Sequence, residues 1–185
     1  MKHLFLSSLM MVVLFVSCEK ENLSPPPPPA KYVGQGYQGG IIFYVDASGQ
    51  HGLIYAPTDE LGQAPWGCYG TSLPGASNDL YGSNVVPSPG AGAENTIDIM
   101  NGCSEAGIAA RLCGDLVFEG YSDWFLPSKK ELNLLYINGF SLYGDVYWSS
   151  TQDNYLKAWH QDFSSGEQYN GTKGTSKNVI AVRSF

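Results

Sequence analysis

Three carboxylates, Asp153, Asp162 and Glu167, crowd the last quarter of the chain, and two such groups facing one bond are what a polysaccharide hydrolase uses as acid and base. All three sit among Gly, Ser, Asn and Gln in stretches that read as turns between strands, where charge serves solvation and turn formation. No catalytic residue is therefore expected, and the chain is not expected to be an enzyme. Gly166, Gly171 and Gly174 lack the Lys-Ser/Thr that would complete a phosphate-binding loop. Four cysteines and three histidines are scattered along the chain, whereas a zinc centre needs three or four such ligands clustered. Neither a metal nor another cofactor is expected.

The cysteines suit a covalent staple better than a reactive thiol, because no histidine lies near any of them in sequence. If Cys103 and Cys113 flank one continuous helix, a rise of about 1.5 Å per residue sets them too far apart to bridge, since a disulfide needs Cα atoms within about 7 Å. With Cys18 set aside as the expected lipidation site, Cys68 is then a partner in any bridge. Cys68 with Cys103 is favoured, because Cys113 falls on an apolar helix stripe; Cys68 with Cys113, or no disulfide, stays open.

Recognition is the chemistry the residue types support best. Tyr155 and Tyr169 lie in polar segments, 152–156 and 166–175, that read as turns, with Asn154, His160, Gln168 and Asn170 around them. Tyr and Asn on loops combine contact area with adaptable hydrogen bonds at modest entropic cost. These six are the candidate ligand-binding residues, for a glycan or a protein. Trp124, Phe125, Trp148, Trp159 and Phe163 sit instead in strand-like runs, Trp159 on the face of Phe163 by alternation, and are expected in the core. Lys129 with Lys130, and Lys173 with Lys177, are expected to be solvated.

The elements that must position these groups begin after an address. Met1-Lys2-His3 leads into an uncharged apolar run, residues 4–16, too short for a comfortable membrane span and suited to a signal peptide. It ends at Phe15-Val16-Ser17-Cys18, which resembles a bacterial lipobox with Phe15 where Leu is usual. The expected order is a signal over 1–17, then a lipidated spacer over 18–30 beginning at Cys18, then a head over 31–185. Several acyl chains on Cys18 would make a durable anchor. Pro25 to Pro29 favour an extended, semi-rigid polyproline spacer. The expected location is the outer membrane, facing outward, with the membrane as a partner through the lipid.

Within the head, Ile41–Val45 and Leu53–Ala56 flank a Gly, Ser and Asp cluster and predict a β-hairpin. Residues 57–92 read as a long Gly/Pro/Ser/Asn loop. Asn95 is expected to cap a helix carrying Ile97 and Met100 on one side, and Ser104 a second helix through Leu116. Ser128 and Glu131 have capping-box spacing ahead of Leu132, Leu135 and Tyr136. Strands are expected over 146–150, 158–163 and 179–183. The chain carries 10 Lys and Arg against 17 Asp and Glu, and net charge −7 argues against a nucleic-acid partner. With 22 Gly, 11 Pro and 12 Tyr in 185 residues, one turn-rich α+β domain is expected rather than a helical bundle.

Gly39-Gly40-Ile41-Ile42-Phe43-Tyr44-Val45, Tyr121-Ser122-Asp123-Trp124-Phe125-Leu126-Pro127-Ser128, Tyr147-Trp148-Ser149-Ser150 and Ala181-Val182-Arg183-Ser184-Phe185 together resemble the Lcl C-terminal domain family. That family takes its name from the distal domain of a bacterial collagen-like adhesin. The resemblance implies a C-type-lectin-like fold with short antiparallel strands, two to three helices and long loops, and an adhesin-like binding role. The collagen-like repeat is absent. No Glu-Pro-Asn, Gln-Pro-Asp or Trp-Asn-Asp pattern supports a calcium-bridged sugar site. No cysteine follows Cys113, so the chemistry of the related formylglycine-generating enzymes is not implied.

Overall fold

The computed structural model describes residues 28–59, 61–77, 90–140, 142 and 146–185. The signal, Cys18 and the first part of the spacer lie outside these residues, as does part of the long loop.

The predicted hairpin is present. β1 (Gly36–Tyr37), β2 (Gly40–Val45) and β3 (Gly52–Tyr55) form a sheet with β9 (Val182–Ser184), in the order β1-β2-β3-β9. Side chains alternate along a strand, so neighbours serve opposite cores. Ile42 and Ile54 enter one apolar cluster, with Trp66, Ile99, Ile108, Leu126 and Trp148. Phe43 and Leu53 enter the other, with Leu132, Leu135, Phe163 and Val182. This sheet is therefore covered on both faces, which explains why its strands read as nearly continuous apolar runs.

The second sheet joins β4 (Gln63–Pro65), β5 (Val146–Gln152), β6 (Lys157–Asp162), β7 (Gln168–Thr172) and β8 (Ser176–Asn178), in the order β4-β8-β5-β6-β7. All its pairs are antiparallel except β5 with β8. Three α-helices stand among the described residues: α1 (Gly92–Gly102), α2 (Ala109–Gly114) and α3 (Lys129–Ile137). The molecule is α+β with short strands, as composition and patterning predict.

One antiparallel ribbon ties the two sheets together. Tyr55 pairs with Val182, and the amides of Ala56 and Val179 donate to the carbonyls of Ala181 and Gly62. Gln63 pairs with Asn178 and Pro65 with Ser176, and the Trp66 and Gly67 amides donate to Lys173 O. At the ribbon's start, the spacer docks on the 46–51 turn. Pro28 O accepts from Gln50 Nε2, Lys31 N donates to Gly49 O, and the Lys31 ammonium lies over the Tyr37 and Phe185 rings.

Local capping decides α3 as the sequence suggests. Ser128 Oγ accepts from Glu131 N, and Glu131 Oε2 accepts from Ser128 N at 2.7 Å. α1 differs from expectation. It starts at Gly92 behind Ala91, with no side-chain cap, and Asn95 lies inside it, buried, donating to Ser150 Oγ. A Cβ at Gly92 would meet the Phe125 ring at 2.8 Å, so close packing sets where this helix begins. Its buried face is Asn95, Thr96 and Ile99, while Ile97 points to solvent. Ser104 caps nothing either. α1 ends before Cys103, and α2 begins after Ile108 without a side-chain cap. The Arg111 guanidinium spans the gap, donating to the carbonyls of Met100, Cys103 and Glu105. Thus Cys103 and Cys113 lie on either side of a break, not on one helix.

Two strand expectations shift. Trp124–Leu126 contributes a single bridge, Phe125 with Val182. Residues 179–181 link β8 to β9 rather than forming a strand, whereas 168–172, read as a turn, is β7. The long loop contains β4 and a 3₁₀ turn over Pro74–Ser77.

Candidate functional site

At the far end of the ribbon from the spacer, three segments meet. Cys68 is joined to Cys103, with Cα atoms 5.8 Å apart. Cys68 occupies a left-handed conformation (φ 45°), and its amide donates to Glu105 Oε2. Gly70 N then donates to Tyr155 O at 2.9 Å. This bond joins the backbone of the 69–70 turn to that of Tyr155, and the Tyr69 and Tyr155 side chains are 57 % and 54 % exposed. Asn154 shapes its own turn, its Oδ1 accepting from the amides of Leu156 and Lys157. Asp153 Oδ2 accepts from Asn154 Nδ2 at 2.8 Å and from Asn170 Nδ2 at 3.2 Å, and Lys157 Nζ donates to Asn170 Oδ1. The result is two exposed tyrosines on backbone segments that touch, and, next to Tyr155 in the chain, a bonded group of a carboxylate, two amides and an ammonium.

The support behind this face is a buried cation. Lys173, expected to be solvated, is 0 % exposed. Its Nζ donates to Thr71 O at 2.8 Å and to Gln152 Oε1 at 2.6 Å, and lies 4.4 Å from the Trp66 ring centre. Gln152 in turn bonds both the amide and the carbonyl of Leu73. Burial pulls the Lys173 ammonium down to about 8. Loop, β5 and the β7–β8 turn are thus clamped by one side chain, which holds the Tyr69–Tyr155 face in a set geometry.

Strand register divides the six candidates. His160 pairs with Tyr169, and Trp159 with Asn170, so His160 and Tyr169 share one sheet face while Gln168 and Asn170 take the other. Asn154, Tyr155 and Asn170 belong to the far-end face. His160 does not act as an exposed contact: it is 8 % exposed, edge-on to Trp148 and tilted against Tyr169. Burial, then the nearby Lys177 charge, lower its imidazole to about 4, with Asp162 opposing. Gln168 is a strut, its Nε2 donating to Lys129 O and Gln161 Oε1 under α3. Tyr169 is exposed on β7, and its hydroxyl donates to Glu167 Oε2 at 2.6 Å, which raises its ionisation range. Trp159 is half-buried and outside both clusters, with the Lys129 ammonium 3.3 Å from its ring centre. It faces the side of α3, not the core expected for it.

Tyr69 is the residue sequence reasoning missed. The signal available was its place between Cys68 and Gly70, a turn tied to a helix.

The carboxylates act locally. Asp162 accepts from the Ser164 hydroxyl and amide and from the Ser165 amide, which hold it below the usual carboxylate range. Glu167 holds Tyr169, and Asp153 holds the two asparagines. Glu105 stands beside Cys68 and Cys103, but their sulfurs are spent on each other and leave no thiolate for a metal. A cavity of about 240 Å³ between Tyr55, Asp59, Leu142, Tyr147 and Ile180 is smaller than sites that enclose drug-sized ligands. No described helix is long and apolar enough to cross a membrane.

No protein-family model matches this chain, and no curated protein matches it.

Proposed function

We propose that this protein is a surface-anchored bacterial lipoprotein whose head is a binding module for a glycan or protein, with Tyr69, Tyr155, Asp153, Asn154 and Asn170 as its contact face. One observation carries the reading. The spacer docks at one end of the ribbon, on the 46–51 turn beside Phe185, and the exposed tyrosines stand at the other. A head anchored through residue 18 then directs that face away from the membrane. Rigid aromatics with a rim of planar polar groups are the composition of recognition surfaces. The clamp beneath them lowers the ordering cost of binding. The ordered motifs and the short-stranded α+β frame support assigning the head to the Lcl C-terminal domain family and to the C-type-lectin-like fold, and the acidic balance disfavours sulfated polymers as ligands. Outer-membrane placement, facing outward, gives the proline spacer a use, since the head must clear surrounding polymers.

The test is an array of glycans and envelope proteins probed with the full chain. Tyr69→Ala with Tyr155→Ala should abolish reproducible binding, while Tyr169→Ala, on the other side of β7, should retain it. Binding untouched by the double change would remove this face. The anchor is checked in the same cells by labelling with a palmitate analogue, which Cys18→Ser should prevent.

A further inference from the structure

Among the described residues β7 ends its sheet, with β6 on one side and no strand on the other. Its backbone polarity follows from the bonds at its two ends. Asp162 N donates to Glu167 O, and Lys173 N to Leu156 O, so residues 167 and 173 turn their polar groups toward β6. Antiparallel alternation gives the same direction to 169 and 171, leaving Gln168, Asn170 and Thr172 to point theirs along the free edge. Of these, the Thr172 carbonyl already accepts from Thr175.

Natural edge strands are kept from pairing by charges, prolines or bulges. β7 has none of them. Its five residues, Gln-Tyr-Asn-Gly-Thr, are uncharged, and its register with β6 runs unbroken over five pairs. In a chain of net charge −7, this edge is locally neutral, and the nearest charges on the Asn170 side, Asp153 and Lys157, are one of each sign.

We infer that the β7 edge is a homotypic interface, on which a second copy of this chain adds its own β7 antiparallel about a two-fold axis at Asn170. The strand is self-complementary in that register. Asn170 meets Asn170 of the second copy as a hydrogen-bonded pair, and Gln168 meets Thr172, so the N–H and C=O of Asn170 are both paired and the Thr172 N–H reaches the Gln168 carbonyl, while the Thr172 carbonyl stays with Thr175. Between them, Tyr169 faces Gly171 of the second copy at a closely spaced position, where its ring meets the His160 ring and Lys177 stem that lie over that glycine. The same contact occurs twice. The two heads then share one continuous sheet of ten strands, and the edge disappears. So short a pairing is weak in dilute solution and gains from confinement of both copies to one surface. The interface shares Asn170 with the proposed contact face and otherwise uses the strand edge, so it is tested without ligand, by self-association alone, and the loss of ligand binding on Tyr69→Ala with Tyr155→Ala leaves it standing.

A cysteine series on the full chain in detergent tests the register. Facing Cα atoms of a hydrogen-bonded pair stand about 5.5 Å apart, within disulfide reach. Asn170→Cys should therefore yield an oxidised dimer well above that of the unsubstituted chain. Thr172→Cys should not, because residues 172 of the two copies would be about 13 Å apart. A second measurement removes reliance on oxidation. Asn170→Lys and Asn170→Asp each place like charges at the two-fold axis and should weaken self-association about tenfold or more in sedimentation, whereas an equimolar mixture should recover it. Circular dichroism and urea midpoints confirm that these exposed changes leave the fold intact. Equal cross-linking at 170 and 172, no cross-linking at 170, or no recovery in the mixture would overturn the inference.

Discussion

Raising the pH from 7 to 11 should stabilise this protein through Lys173, against the usual trend of alkaline denaturation. The ammonium is fully buried, with a carbonyl, an amide oxygen and an indole face around it. Burial lowers it from 10.5 to about 8 in the native state. Between those values the unfolded chain binds the proton and the native chain does not, so stability rises with pH through that window and is flat below it. At 1.36 kcal/mol per pH unit, the interval caps the gain at about 3 kcal/mol. The tyrosines also titrate near the top of this range, so the informative quantity is a difference. Lys173→Met keeps the length of the side chain over Trp66 but removes the titration, and leaves Thr71 O and Gln152 Oε1 short of a donor at about 1–3 kcal/mol. Urea midpoints of wild type and variant, followed by Trp fluorescence at half-unit pH steps, should diverge from about pH 8 upward, the wild type gaining. Parallel curves across the range would show that the Lys173 ammonium is solvated and that the clamp does not exist.

The same sign is expected at His160, in the acid range. Its native value of about 4 lies below the ordinary 6.5, so the unfolded chain takes the proton first and stability falls as pH drops from 6.5 through 4. His160→Phe should flatten that acid limb of the urea-midpoint profile while changing the midpoint at pH 7 little, since Nδ1 has no hydrogen-bond partner to lose. At α3, Ser128→Ala should cost about 0.5–2 kcal/mol through the lost cap. Trp124→Ala, at a ring 2 % exposed, should cost about 3–5 kcal/mol; equal small losses in urea titrations would contradict the core assignment of Trp124.

Local chemistry was legible in the residues. Asp46 to Gly52 between two β-rich runs marks the hairpin because Gly, Ser and Asp satisfy a turn without a partner strand, and Ser128 with Glu131 marks α3 because a capping box closes within four residues. The exposure of Tyr155 follows from its polar neighbours in the same way. Contacts between distant segments were not legible. Lys173 is buried because positions 71, 152 and 173 converge, and nothing in the Gly-rich stretch around it announces that Thr71 and Gln152 will supply oxygen acceptors. Tyr169 and Asn170 were grouped as one turn, yet β6 pairing makes that segment a strand and sends the two side chains to opposite faces. Asn95 has the side chain of a helix cap, but the close approach of Gly92 to Phe125 starts the helix four residues earlier and turns Asn95 inward. Spacing along a chain specifies period and caps, which depend on neighbours within one turn. Partner, register and burial depend on which surfaces come to cover one another, and only the packed structure decides that.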